Sequence, residues 1–147
     1  MDEVLIANWN ARVTNVDTVY ILGDLMFCVK CRPSVYLERL NGRKHLIIGN
    51  HDSSWMNKAE LDYYFESRSY MTVITNEEHR LTLCHYPMMA FDGDFLIYGH
   101  IHNNKRNVYW PLLKTMENAL NAGVEVNGYQ PVTFEELQTN NRKFRKD

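Results

Sequence analysis

Lys44-His45-Leu46-Ile47-Ile48-Gly49-Asn50-His51-Asp52 is the stretch on which the fold turns. Its first five residues form a short apolar run that reads as a buried strand, and the glycine lets the backbone turn sharply where the strand ends. An amide, an imidazole and a carboxylate then stand side by side at the strand tip. Polar groups crowded in this way sit poorly in a core unless they pair or bind something.

The layout recurs along the chain. Residues 18–22 run into Gly23-Asp24, residues 95–98 run into Gly99-His100-Ile101-His102, and residues 80–84 end on His85. Each of these apolar runs finishes in a side chain able to bind a metal, and ligands of α/β sheets gather at the carboxyl ends of strands. Asp24, Asn50, His85, His100 and His102 are therefore candidate metal ligands. A carboxylate can bridge two cations, imidazoles suit zinc, iron, manganese and nickel, and an amide oxygen suits the harder members of that set. The absence of thiolate from the group argues against a structural zinc knot and for an open, hydrolytic centre. Two metals about 4 Å apart can clamp the oxygens of a phosphate. His51, beside a ligand, is placed to protonate a leaving group.

Composition sets the frame. With 147 residues, 45% of them hydrophobic and 23% charged, the chain has the size and make-up of one domain with its own core. A formal net charge of -2 gives no bulk attraction to nucleic acid, so no stable nucleic-acid partner is expected. The basic run Arg142-Lys143-Phe144-Arg145-Lys146 reads as a solvated or frayed end. No apolar run approaches a membrane span and no signal-peptide pattern opens the chain. Three cysteines cannot all pair internally, which favours a reducing cytoplasm. Cys28 and Cys31 make a lone C-x-x-C and read as two ordinary thiols, while Cys84 reads as packed.

Helices are expected over residues 3–13, with Asp2 as N-cap, over 34–40 after Pro33, within 53–65, and over 135–140. Further strands are expected at 69–75, at 78–84 and, late in the chain, at 122–126. Asn127-Gly128 is a turn signal. Tyr63, Tyr64 and Phe65 read as core, and His45 and His79 stay outside the site. Arg106, Tyr109 and Trp110 read equally as the border of a cleft and as packing. Helices and strands alternate, so an α/β domain with a partly parallel sheet follows.

Gly23-Asp24, Gly49-Asn50-His51-Asp52, His85 and Gly99-His100-Ile101-His102 stand in the order of the later motifs of the calcineurin-like metallophosphoesterases. The chain resembles the small single-domain bacterial and phage members, and the likeness extends through Asn8-Trp9-Asn10 and Asn127-Gly128-Tyr129-Gln130-Pro131. That resemblance implies a metallo-dependent phosphatase-like fold, a two-sheet sandwich flanked by helices with the site at strand ends. It implies one or two divalent transition metals, manganese, iron, zinc or nickel. Asp24 would bridge them, Asn50, His85 and His100 would complete the second site, and His102 would ligate the first metal. His51 would be the general acid or transition-state stabiliser, and Asp52 the orienting carboxylate of the neighbouring histidine. The implied reaction is hydrolysis of a phosphomonoester or phosphodiester by metal-activated water or hydroxide. The substrate would be a phosphorylated small molecule or nucleotide.

The family's opening motif, a strand ending in Asp-x-His, has no counterpart here, and Phe27 replaces the second carboxylate of its G-D-x-x-D. The comparison therefore implies a single domain over 1–147 that is truncated at its N-terminus and lacks its first strand. Alternatively, a homo-oligomer completes the sheet with a swapped segment or second subunit. It also leaves open a degenerate member, weakly active or inactive, that binds metal or a phosphorylated ligand.

Overall fold

A computed structural model of the chain describes residues 2–27, 32–57 and 60–146. Cys28 and Cys31 lie outside these residues. The chain forms α1 (Asp2–Arg12), β1 (Thr18–Ile21), α2 (Ser34–Leu37), β2 (Arg43–Ile47), α3 (Ser53–Met56) and α4 (Leu61–Tyr64). It continues with β3 (Ser67–Ser69), β4 (Met71–Thr75), β5 (Arg80–Cys84), β6 (Phe95–Tyr98), α5 (Trp110–Leu113), β7 (Ala119–Asn121) and α6 (Phe134–Lys146). No helix among the described residues is long and apolar enough to cross a membrane.

The strands make two sheets. One is wholly parallel in the order β1-β2-β3; the other runs β4-β5-β6-β7, antiparallel between β4 and β5 and parallel thereafter. Strand alternation sorts the side chains into layers. Leu46 of β2 faces a core with Leu37, Trp55 and Phe65 on the helical side of the first sheet. Its neighbour Ile47 joins Leu81, Leu83, Ile97 and Leu120 of the second sheet in the layer between the sheets. Leu96, Tyr98 and Ala119 point away from that layer to Trp110, Leu113 and Phe144. The architecture is thus α/β, two sheets flanked by helices.

Several local expectations are corrected. The single strand expected over 69–75 is split at Tyr70: Ser67–Ser69 pairs with β2 in the first sheet, and Met71–Thr75 pairs with β5 in the second. Local pattern cannot register that a continuous extended run changes sheets. The late strand falls at Ala119–Asn121, and residues 122–126 are loop and turn. The helix expected over 34–40 keeps α-helical form only over Ser34–Leu37. Phe65 is buried and Tyr64 half-buried, but Tyr63 is exposed rather than core. The basic run is no frayed end: it forms the last turns of α6. There Phe144 packs edge-on against Trp110 at 5.0 Å, and Arg145 donates to the carbonyls of Met116 and Ala119.

Candidate metal centre

The carboxyl ends of β1 and β2 from one sheet meet those of β5 and β6 from the other, and the candidate ligands follow these ends directly. Leu22, just past β1, contacts both neighbours of the second sheet: its carbonyl accepts from His85 Nδ1 at 2.7 Å and lies against Gly99. The turns are tight. A Cβ on Gly23, whose φ is +83°, would stand 2.5 Å from His85 Nδ1, and one on Gly49 would collide with Asp24 Oδ1. Asp24, His100 and His102 are three of the four non-glycine residues with positive φ among the described residues, at 53°, 64° and 51°. Such conformations are costly for side-chain-bearing residues and cluster at functional sites.

Asp24, His85 and His100 form a group whose ligand atoms all lie within 4.8 Å of one another. His85 organises it. The ring is 1% exposed, and a carbonyl only accepts, so Nδ1 carries the proton that Leu22 receives. In the neutral form of the ring, Nε2 is therefore the nitrogen left with a lone pair. Around that atom stand Asn50 Oδ1 at 3.1 Å, His100 Nδ1 at 3.2 Å and Asp24 Oδ2 at 3.4 Å. Lone pairs from a carboxylate, an amide and imidazoles converge on one small volume, which suits a divalent transition cation. Burial is the first cause holding the His100 pKa below its ordinary value, and the nearby His85 adds to it. Asp24 opposes the shift, while His102 and His51 contribute in the same direction as His85. A depressed pKa keeps the ring neutral and able to ligate near neutral pH.

Asp52 has a different task from the one expected. Its carboxylate is fully buried, with Oδ2 accepting from Asp24 N at 2.9 Å and Gly49 N at 2.7 Å. Oδ1 accepts from Leu25 N at 3.1 Å and Trp55 Nε1 at 2.9 Å. Four donors occupy the four lone-pair positions a carboxylate offers, so nothing remains to orient the His51 imidazole. Asp52 instead ties the turn after β1 to the turn after β2. His51 is exposed; its backbone N–H donates to Asp24 Oδ1 at 2.9 Å, and its ring packs against the exposed Phe27 at 4.8 Å.

His102 lies outside the Asp24, His85 and His100 group, and its Nδ1 is 2.9 Å from Glu125 Oε1. Sequence reasoning missed Glu125. The available signal was a lone acid in the otherwise apolar and amide-bearing run Asn121-Ala122-Gly123-Val124-Glu125-Val126-Asn127. His45 and His79 stay outside, the first stacked on Tyr20 and the second against Phe95. Of the three residues read equally as border or packing, Trp110 is buried, whereas Arg106 and Tyr109 are exposed.

No protein-family model matches the chain. It is 35% identical over 139 residues to the uncharacterized protein MJ1445 of Methanocaldococcus jannaschii, an alignment covering 92% of this chain and 72% of that protein. The chain belongs to the MJ1445 family. A solved structure resembles it as well: the crystal structure of AQ665, a protein of unknown function from Aquifex aeolicus. The two superpose with a TM-score of 0.72 at 27% identity, over 94% of this chain and 83% of AQ665. AQ665 thus shares the fold, and neither it nor MJ1445 brings a stated activity to the chain.

Proposed function

We propose that the chain is a calcineurin-like metallophosphoesterase with a metallo-dependent phosphatase-like fold, which hydrolyses a phosphomonoester or phosphodiester. The observation that carries this reading is the convergence of Asp24, Asn50 and His100 on His85 Nε2, with His85 Nδ1 bonded to the Leu22 carbonyl. These four residues would hold a divalent transition metal such as manganese, iron, zinc or nickel. Such a cation, when bound, supplies a Lewis acid for phosphoryl oxygens and lowers the pKa of water. The rest falls to the chain. Asp24 is oriented by the His51 N–H and by the Asp52 web at its own backbone. His51, exposed beside it, would pass a proton to the leaving oxygen. His102 would add a further imidazole, and a phosphorylated small molecule or nucleotide is the substrate class. The motif order supports phosphorus as the centre attacked.

One observation favours a second reading. Asp24 and His102 are the residues assigned to a first metal, and His102 stands outside the compact group. A protein filling only the second site would bind a metal or phosphorylated ligand with little turnover. In a homo-oligomer, a strand from a second copy would add beside β1, an edge of its sheet among the described residues.

The test is hydrolysis of a chromogenic phosphomonoester and phosphodiester with added manganese, alongside calorimetric manganese titration. Turnover that falls by about 100-fold or more in Asp24→Asn is expected. Metal binding without turnover of either ester would favour the binding role, and no metal binding would reject the phosphoesterase reading and the metal-binding form of the second.

A further inference from the structure

Glu125 sits in a loop that is locked by amides. Asn121 N donates to Asn141 Oδ1 at 2.7 Å, and Asn141 Nδ2 returns a bond to the Asn121 carbonyl at 3.0 Å. Asn127 Nδ2 donates to the carbonyls of Asn121 and Gly123, and Gly123 N donates to Asn121 Oδ1 at 2.8 Å. Asn121, Asn127 and Asn141 are all buried, and satisfied buried networks of this kind rigidify what they hold. The same Asn121 side chain grips the histidine: its Nδ2 donates to the His102 carbonyl at 2.7 Å. His102 is thus pinned twice, at its backbone by Asn121 at the end of β7 and at its ring by Glu125 in the loop that follows.

The ring contact decides which nitrogen His102 can offer. A carboxylate only accepts, so Nδ1 carries the proton given to Glu125 Oε1, and in the neutral ring Nε2 is left as the lone pair. The other oxygen, Oε2, is buried with no hydrogen-bond partner among the described residues, so the carboxylate's hydrogen bonding is spent on the imidazole. Free imidazole favours no such orientation by itself, and metal-binding histidines commonly have the far nitrogen held by a carboxylate. We propose that Glu125 is a positioning residue for His102, holding the tautomer whose Nε2 lone pair is offered to a divalent cation beside the Asp24 group. This rests on the phosphoesterase reading for what Nε2 meets, but not for the tautomer.

Two readouts test it. In metal-free protein at a pH where the ring is neutral, nitrogen-15 correlation spectra should show His102 protonated at Nδ1. Glu125→Ala should shift the ring toward the Nε2–H form, and Glu125→Gln, whose amide oxygen also accepts, should restore it. In manganese titrations the weaker binding event should lose about 10- to 100-fold in affinity in Glu125→Ala and recover in Glu125→Gln. An unchanged tautomer in Glu125→Ala would overturn the proposal, as would a manganese affinity that the substitution leaves untouched. Both changes occurring in a chain that hydrolyses no ester would sink the phosphoesterase reading while leaving the role of Glu125 standing.

Discussion

Asp52 shows what one residue can carry here. It was legible from sequence as part of a Gly-Asn-His-Asp cluster, but its neighbour in sequence is not its partner in space. Three backbone N–H groups and the Trp55 indole all depend on it. Asp52→Ala would strand these buried donors and cost at least about 3 kcal/mol, read as a lowered urea midpoint. Asp52→Asn, which turns amide hydrogens toward some of the same donors, should recover only part of the loss. Manganese affinity should fall with either variant, because the Asp24 backbone is released. If stability is unchanged in both, the carboxylate does not brace the two turns.

At the scale of elements, β6 and α6 make one unit. Tyr98 of β6 is 1% exposed, and burial pushes its phenol up to about 12, with Arg145 of α6 pulling the other way. The folded pKa lies above the unfolded value of about 10. Below that unfolded value the contribution to stability is fully present, and it is lost as pH rises through the folded one. It is on the order of 2–3 kcal/mol. Urea unfolding between pH 9 and 12 (values spanning the unfolded and folded pKa) should therefore show a decline that Tyr98→Phe flattens. An equally steep decline in the variant would mean that Tyr98 titrates like an exposed tyrosine. The docking of α6 explains why the basic end is ordered: Phe144 and Arg145 have partners 25 or more residues away in sequence, which no local pattern records.

For the whole molecule, the ligand group bridges the two sheets. Asp24 and Asn50 follow strands of the first sheet, and His85 and His100 follow strands of the second. A cation bound by all four would therefore tie the halves together and stabilise the folded chain by mass action. At about 100-fold above its dissociation constant this amounts to about 2.7 kcal/mol. Thermal unfolding should move up with manganese and return with chelator, and the shift should vanish in Asp24→Asn. A shift that survives in Asp24→Asn would place the metal elsewhere.

The sequence by itself determined the alternation of helices and strands, the apolar runs of β1, β2, β5 and β6, and the residues that end them. Strand length, apolar character and a following glycine are local properties, so they can be read along the chain. Tertiary structure decided the partners. The split of one extended run between two sheets at Tyr70, the saturation of Asp52 and the pairing of His102 with Glu125 all depend on groups brought together across long loops. Hydrogen bonds and burial are set by distance in space, and only the folded chain fixes that distance.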